Sequence, residues 1–441
     1  MRLVTMTMAI GSLVAGMTGI PAAPRTIEWQ PCAGEAQCGS LTLPVDWDHP
    51  GGATFQLAVA RRPATDPAAR VGTLIFGPGG PGDSGVDRIL DPGRFSDDIR
   101  RHFDIVSFDP RGVQRSNPIV CPDQPAAPGP VIADQADFDR VRADNLARWQ
   151  QCRTLTGPIF DHADTASTVR DLDALRAALG ERKLTFHGSS YGTLLGEEYA
   201  ERYPGRVRAV LLESVMDHSL GTAAFLRTQA WALQDSFDAF VDWCDRNDAC
   251  GPDVRARWNA LRTDQNTFDL AATAHINLYG PDYPALATFI ENGVVAPVKL
   301  PPAVAAVFCA DWSLPVRDYR EYQELTRQAA AIAPDLRLPA GAFALPLCLG
   351  WPQPVANPQH RLQVHTTTPL LLLNSRHDPA DGYNWAVTVA RQLGRHGVLL
   401  TLDGAGHASY TKSTCMRQTA DRYLISLVVP PRGTVCHDAP F

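Results

Sequence analysis

The most constraining stretch of the chain is Leu184 to Leu194, Leu-Thr-Phe-His-Gly-Ser-Ser-Tyr-Gly-Thr-Leu. A β-prone run, Lys183 to Phe186, meets Gly188-Ser189-Ser190-Tyr191-Gly192, and a helix-like run follows through Leu194, Leu195 and Tyr199. This is G-x-S-x-G between a strand and a helix, a sharp turn that lifts one side chain above a sheet and needs small neighbours. Gly188 and Gly192 are those neighbours, and Ser190 is the lifted hydroxyl. The N–H of Tyr191, at the start of a helix, is then placed to help hold an oxyanion. A glycine-rich connection with no chemistry is the plainer reading, and the rest of the chain decides between the two.

Strand-like and helix-like runs alternate on both sides of this turn. Thr54 to Arg61 alternates apolar and polar, and Val71 to Phe76 is a short apolar run that enters Gly77-Pro78-Gly79-Gly80-Pro81-Gly82-Asp83-Ser84-Gly85. His102 to Phe108 predicts the next strand, ending in Asp109-Pro110-Arg111-Gly112. Asp137 to Cys152 has helical spacing; in Ala166 to Leu179, Val169, Leu172, Leu175 and Leu179 share one face and Gly180 stops the helix. Arg208 to Glu213 predicts another buried strand. Such alternation implies a mostly parallel sheet with helices on both faces. It breaks near Val215. From there to about His365 the chain reads as helical patches and loops, clearest at Phe225 to Cys244 and, in pieces, at Cys309 to Ile332, with Leu338 to Pro358 irregular. It resumes with Pro369 to Asn374, Tyr383 to Leu393, Gly397 to Leu402 and Thr419 to Val428. The expected organisation is a first part of an α/β core over 24–215, an inserted, mainly helical cap over 216–365, and the second part of the core over 366–441. Cys32 to Pro50 reads as loop, tied by a small disulfide ring.

A serine nucleophile needs a base, and the base needs an orienting carboxylate. In open α/β sheets ligands bind past the C-terminal ends of the strands. Asp378, in Asn374-Ser375-Arg376-His377-Asp378-Pro379, and His407, in Gly404-Ala405-Gly406-His407, both lie there, in the order Ser, Asp, His. Asp381 and Glu213 are rival acids, and His187 and His377 are neighbours of the right places. An Asp before Pro is also a common turn former. The glycine-proline loop after Phe76 supplies the second half of an oxyanion hole, with Gly79 or Gly80 donating. It is not a phosphate loop, because no Gly-Lys-Ser/Thr follows.

A chain of 441 residues with net charge −7, spread without long runs, points away from nucleic acid and from anionic membranes as partners. Met1 to Ala23 reads as an export signal, with Arg2, an apolar run and small residues before Pro24; a membrane anchor is the alternative. No later stretch is long and apolar enough to span a bilayer. The ten cysteines are even in number and avoid tight metal-like C-x-x-C pairs, so an oxidising, extracellular or cell-surface location is expected rather than a set of buried thiols. Neighbour pairing would join Cys32 to Cys38, Cys121 to Cys152, Cys244 to Cys250, Cys309 to Cys348 and Cys415 to Cys436; other pairings stay open. No metal site and no cofactor motif is read.

These residues resemble a known family. Gly77 to Gly85 resembles the proline iminopeptidase signature in the Pro-Gly-Gly-Pro-Gly form of secreted tripeptidyl aminopeptidases, and Phe108 to Pro118 is similar to their Asp-x-Arg-Gly segment. Thr168 to Leu179 and Gly188 to Pro204 match their helix and nucleophile region, and Cys415 to Cys436, with Tyr423-Leu424 and Gly433-Thr434, resembles their C-terminal segment. The resemblance implies an α/β-hydrolase fold with a helical cap, no cofactor, and a secreted serine peptidase that releases tripeptides or other short peptides from free N-termini. It assigns Ser190, Asp378 and His407 as the triad and Gly79, Gly80 and Tyr191 as oxyanion donors. A carboxylesterase on the same scaffold and a non-catalytic binding protein are the alternatives. Gln114 stands where the family usually has Gly, Glu213 where Asp is common, and Glu197 and Glu198 where uncharged residues are usual. An aminopeptidase must also hold a charged α-amine, for which Glu213, Asp217 and Asp311 are candidate carboxylates.

Overall fold

The computed structural model describes residues 26–122, 132–247, 250–263, 266–293, 301–337 and 341–437. The expected export signal lies outside the described residues. The strands in chain order are β1 (Gln30–Ala33), β2 (Ala36–Pro44), β3 (Thr54–Arg62), β4 (Gly72–Gly77), β5 (Phe103–Phe108), β6 (Leu184–Ser189), β7 (Val207–Glu213), β8 (Leu370–His377), β9 (Gly397–Ala405) and β10 (Val435–Cys436). Among the described residues they form one ten-stranded sheet in the order β1-β2-β3-β5-β4-β6-β7-β8-β9-β10. Pairing is antiparallel from β1 through β3 to β5 and parallel from β5 onward.

Cys32 to Pro50 corrects the expectation of a loop. Gln37 to Pro44 pairs in register with Arg61 to Thr54. Buried Leu41 and Leu43 alternate with exposed Thr42, a strand signal obscured by Gly39 and by the terminal Pro44.

Helices α1 (Gly85–Leu90), α2 (Asp97–His102), α3 (Gln135–Thr156), α4 (Thr165–Ala178) and α5 (Gly192–Arg202) lie within the first part of the chain. Side chains mark several starts: Ser96 caps α2 and Asp164 caps α4, each accepting from an N–H three residues on. Between β7 and β8 come α6 (Thr222–Asn247), α7 (Val254–Ala260), α8 (Thr267–Tyr279), α9 (Tyr283–Asn292), α10 (Pro302–Asp311), α11 (Tyr319–Ile332) and α12 (Gly341–Cys348). Helix α12 forms where an irregular segment is expected, and it carries Pro346 within it. Helices α13 (Tyr383–Leu393) and α14 (Thr414–Ser426) complete the order.

One face of the sheet packs on α4, α5 and α13 through Val169, Leu172, Leu195, Ala386 and Val389. The other packs on α1, α2 and α14 through Val86, Ile99, Met416 and Leu424. Phe237, Phe240, Trp258 and Leu286 give the inserted helices a core of their own. Tyr191, Phe225, Trp312 and Trp385 join that layer to the sheet. Disulfides close Cys32–Cys38, Cys121–Cys152, Cys244–Cys250, Cys309–Cys348 and Cys415–Cys436, each between sequence neighbours. Among the described residues no helix is long and apolar enough to cross a membrane.

A buried ion pair ties the turn after β5 to α4. Arg111 and Asp171 are both fully buried, and Arg111 Nε and Nη2 each donate to one Asp171 carboxylate oxygen at 2.7 Å. The remaining guanidinium protons reach the carbonyls of Val45 (2.7 Å), His162 (3.1 Å) and Pro44 (3.2 Å). Such a pair is costly to break, because the partner left behind is a desolvated charge. Arg111→Ala is expected to lower unfolding free energy by about 3–5 kcal/mol, read as a drop in the guanidinium midpoint. The double change Arg111→Met with Asp171→Leu should recover most of that loss.

Candidate active site

The turn between β6 and α5 puts Ser190 at φ 56°, a left-handed backbone that a side chain rarely adopts. The surroundings fix it there. Ser190 N–H donates to the Glu213 carbonyl, and Thr193 N–H donates to the Ser190 carbonyl, both at 2.8 Å. A Cβ on Gly192 would fall 2.3 Å from the Gly77 carbonyl oxygen and 2.6 Å from that of Pro78, so only glycine fits against the loop after β4. In that loop, a Cβ on Gly79 would come 3.0 Å from Ser189 O and Ser190 Cβ. The Gly79–Gly80 backbone therefore faces Ser190 on one side, and Tyr191 begins the helix on the other.

Asp378 follows β8 and His407 follows β9, neighbouring parallel strands. His407 Nδ1 lies 3.1 and 3.2 Å from the two Asp378 carboxylate oxygens. Asp378 also accepts from Ser214 Oγ (2.7 Å), Ala380 N–H (3.0 Å) and Asp381 N–H (3.1 Å). Burial opposes a charge on the His407 ring, but the Asp378 carboxylate outweighs it and raises the His407 pKa above the ordinary value. From the cap, the Tyr279 ring packs at a tilt of 43° against the His407 ring, centroids 4.2 Å apart, and the Tyr279 carbonyl accepts the His407 backbone N–H at 2.9 Å.

Ser190, Tyr279 and Asp381 line a cleft of about 300 Å³ beneath the cap. Gly80, Gln229 and His275 also border it, and the remaining wall is mostly apolar. Ser190 is 9 % exposed and His407 is 7 % exposed.

The three carboxylates expected at the cleft lie elsewhere. Glu213 accepts from Arg94 (2.8 Å), from the Tyr410 N–H (2.6 Å) and shares a hydrogen bond with His187 (2.9 Å). Burial would raise its pKa, but Arg94 and His187 hold it down at about 2. It is a buried structural anion, neither the acid behind His407 nor a cleft residue. Asp217 is taken by the Ser219 N–H and hydroxyl (3.0 and 2.6 Å) and by Gln392 (3.1 Å). Asp311, on α10, accepts from the Tyr191 phenol, from Thr165 N–H (2.8 Å) and hydroxyl (2.7 Å), and from Asn357 (3.1 Å). Asp311 therefore clasps the cap to the residue after the elbow. Sequence reasoning missed Tyr279 and His275, because nothing local marks the face that α8 turns toward a strand end far along the chain.

A family model described as TAP-like protein matches residues 340–436. Serine protease Hip1 of Mycobacterium tuberculosis is 30% identical over 94% of this chain and 92% of its own length. Tripeptidyl aminopeptidase of Streptomyces lividans is 28% identical, covering 96% and 88%. Carboxylesterase B of Mycobacterium tuberculosis is 30% identical, covering 91% and 86%. Among solved structures, esterase E22 overlays with a TM-score of 0.42 at 17% identity, over 89% of this chain and 100% of that one.

Removing the phenol of the clasp tests its contribution. Tyr191→Phe is expected to cost about 1.5–3 kcal/mol of stability, because Asp311 loses a donor in a buried place. The urea midpoints of the variant and the parent give the value.

Proposed function

We propose, from the premise that the chain belongs to the α/β-hydrolase family of Serine protease Hip1 and tripeptidyl aminopeptidase and is a serine hydrolase, that it is an exported aminopeptidase. In this reading it releases tripeptides or other short peptides from free N-termini. The observation that carries it is the roofing of Ser190 and His407 by the cap, which leaves a small cleft beneath it. A site so covered admits a chain end rather than the middle of a folded chain. The names of the two relatives support a peptide substrate, and five disulfides support an oxidising compartment.

Ser190 is the nucleophile, His407 the base and Asp378 the carboxylate that fixes the ring. Ser190 Oγ attacks the carbonyl carbon as its proton passes to His407. The carbonyl oxygen becomes an oxyanion, held by the Tyr191 N–H and by N–H groups of the Gly79–Gly80 loop. His407 returns the proton to the leaving amine, the C–N bond breaks, and an acyl-enzyme remains. Water then attacks the acyl carbon by the same route, and the N-terminal product departs with Ser190 restored. The Carboxylesterase B relative supports a second reading, ester hydrolysis, because this machinery treats both bonds alike.

The test offers purified protein free-N-terminal and N-acetylated peptide anilides, with short-chain esters alongside. Turnover confined to free-N-terminal peptides is the expected result; turnover of esters alone would replace this reading with the second. Ser190→Ala should abolish turnover and fluorophosphonate labelling while the thermal midpoint persists. Asp378→Asn should cut kcat by roughly four orders of magnitude. His407 must be neutral to act, and Asp378 is what lifts its pKa. The residual activity of Asp378→Asn should therefore survive to lower pH than that of the parent, as a pH–rate profile would record.

A further inference from the structure

Three residues past Asp378, Asp381 stands on the wall of the same cleft as Ser190 and is only 4 % exposed. Its Oδ2 has no hydrogen-bond donor among the described residues. Its backbone is pinned on both sides: the N–H donates to Asp378 at 3.1 Å, and the carbonyl accepts from Asn374 at 3.0 Å. The carboxyl is thus held in place, bonded to the Ser190 hydroxyl but with Oδ2 left without a donor.

Beyond the Ser190 hydroxyl and the nearby His407 ring, the wall around it offers little compensation. Met216, Phe225, Phe268, Ile276, Phe308 and Trp385 are apolar, and no Lys or Arg of the described residues lines the cleft. A desolvated carboxylate in such a wall is unfavourable until a cation pairs with it. The nearby cationic ring, His407, is engaged by Asp378, so the donor that Oδ2 lacks is left to the substrate.

We propose that Asp381 binds the α-ammonium group of the very residue whose carbonyl Ser190 attacks, so that the enzyme removes one apolar amino acid at a time. This rests on the aminopeptidase reading and shortens the released unit from a short peptide to a single residue. Reach decides the length. The Ser190 hydroxyl lies beside the Asp381 carboxyl. The α-amine of the attacked residue is two bonds from the attacked carbon. The free amine of a tripeptidyl unit is two residues further, about 7 Å at roughly 3.3–3.6 Å per extended residue. A carboxylate beside the nucleophile meets the first amine and falls short of the second. The cleft of about 300 Å³ suits this; it stands at the low end of the range of ligand cavities, which run to about 1,000 Å³. Burial pushes the carboxyl up to about 7 against the pull of His407 and the Ser190 hydroxyl, with Asp378 adding to the rise, and an arriving ammonium would reverse that rise.

The test compares leucyl and phenylalanyl anilides with their N-acetyl forms, with a tripeptidyl anilide ending in leucine, and with N-acetyl-lysyl anilide. The wild-type protein is expected to prefer the free aminoacyl anilides over the acetylated ones by roughly 10- to 100-fold in kcat/KM, as a charge-assisted contact implies. They should also outrun the tripeptidyl anilide. In Asp381→Asn that preference should shrink to a few-fold, chiefly through KM. Fluorophosphonate labelling of Ser190 checks that this variant has folded; where it has not, the wild-type panel decides alone. Faster cleavage of the tripeptidyl anilide overturns the inference while leaving the aminopeptidase reading intact. Preference for acetyl-lysyl anilide, or an unchanged ratio in Asp381→Asn, overturns it too. Ester turnover without any anilide turnover sinks both.

Discussion

Ser190 sits at a positive φ, where its Cβ crowds its own backbone at a cost of about 1–3 kcal/mol. Such a conformation persists only if the neighbours over-determine it. Here the end of β7 does much of the holding. The Glu213 carbonyl takes the Ser190 N–H, and the next residue, Ser214, is itself at φ 55°. From there the Ser214 hydroxyl donates to Asp378 and accepts the Ala408 N–H, beside His407. One strand end therefore sets the elbow, the acid and the loop of the base. The Glu213 side chain anchors that strand end from below through Arg94, His187 and the Tyr410 N–H.

The parts of this arrangement written in short-range pattern were legible in the sequence. The glycines around Ser190 and the strands before Asp378 and His407 are local signals, and the fold brings those strand ends together because β8 and β9 are parallel neighbours. Gln114, unusual beside the resembled family, stands at φ 41°, a place where glycine is at ease. What was not legible depends on long-range packing. Glu213 at a strand end looks the same in sequence whether its carboxyl faces a cleft or an arginine 119 residues away. Asp311 could be placed on the cap, but not against the Tyr191 phenol. Asp381 read as a rival acid, since only the coordinates show that Asp378 takes the ring and leaves Asp381 facing the cleft.

The buried acids divide by what neutralises them. Asp171 and Glu213 have arginines, and their charges are structural. Asp311 and Glu198 share Asn357 instead, with burial pushing them up to about 8 and about 7. Glu197, one turn before the end of the nucleophile helix, is fully buried with neither carboxyl oxygen bonded among the described residues, and its pKa is raised well above the ordinary range. Burial disfavours charge on these three acids, whereas the arginines beside Asp171 and Glu213 favour it.

The two borders of the sheet share a design. On one side β1, four residues long, is stitched to β2 by Cys32–Cys38; on the other β10, two residues long, is stitched to α14 by Cys415–Cys436. A strand with unpaired amides is a template for another molecule's strand, and short hems blunt it. Each hem is too small to hold by its backbone bonds alone. Thiol reduction would therefore fray both margins at once and bare the amides of β2 and β9 to a strand of another molecule.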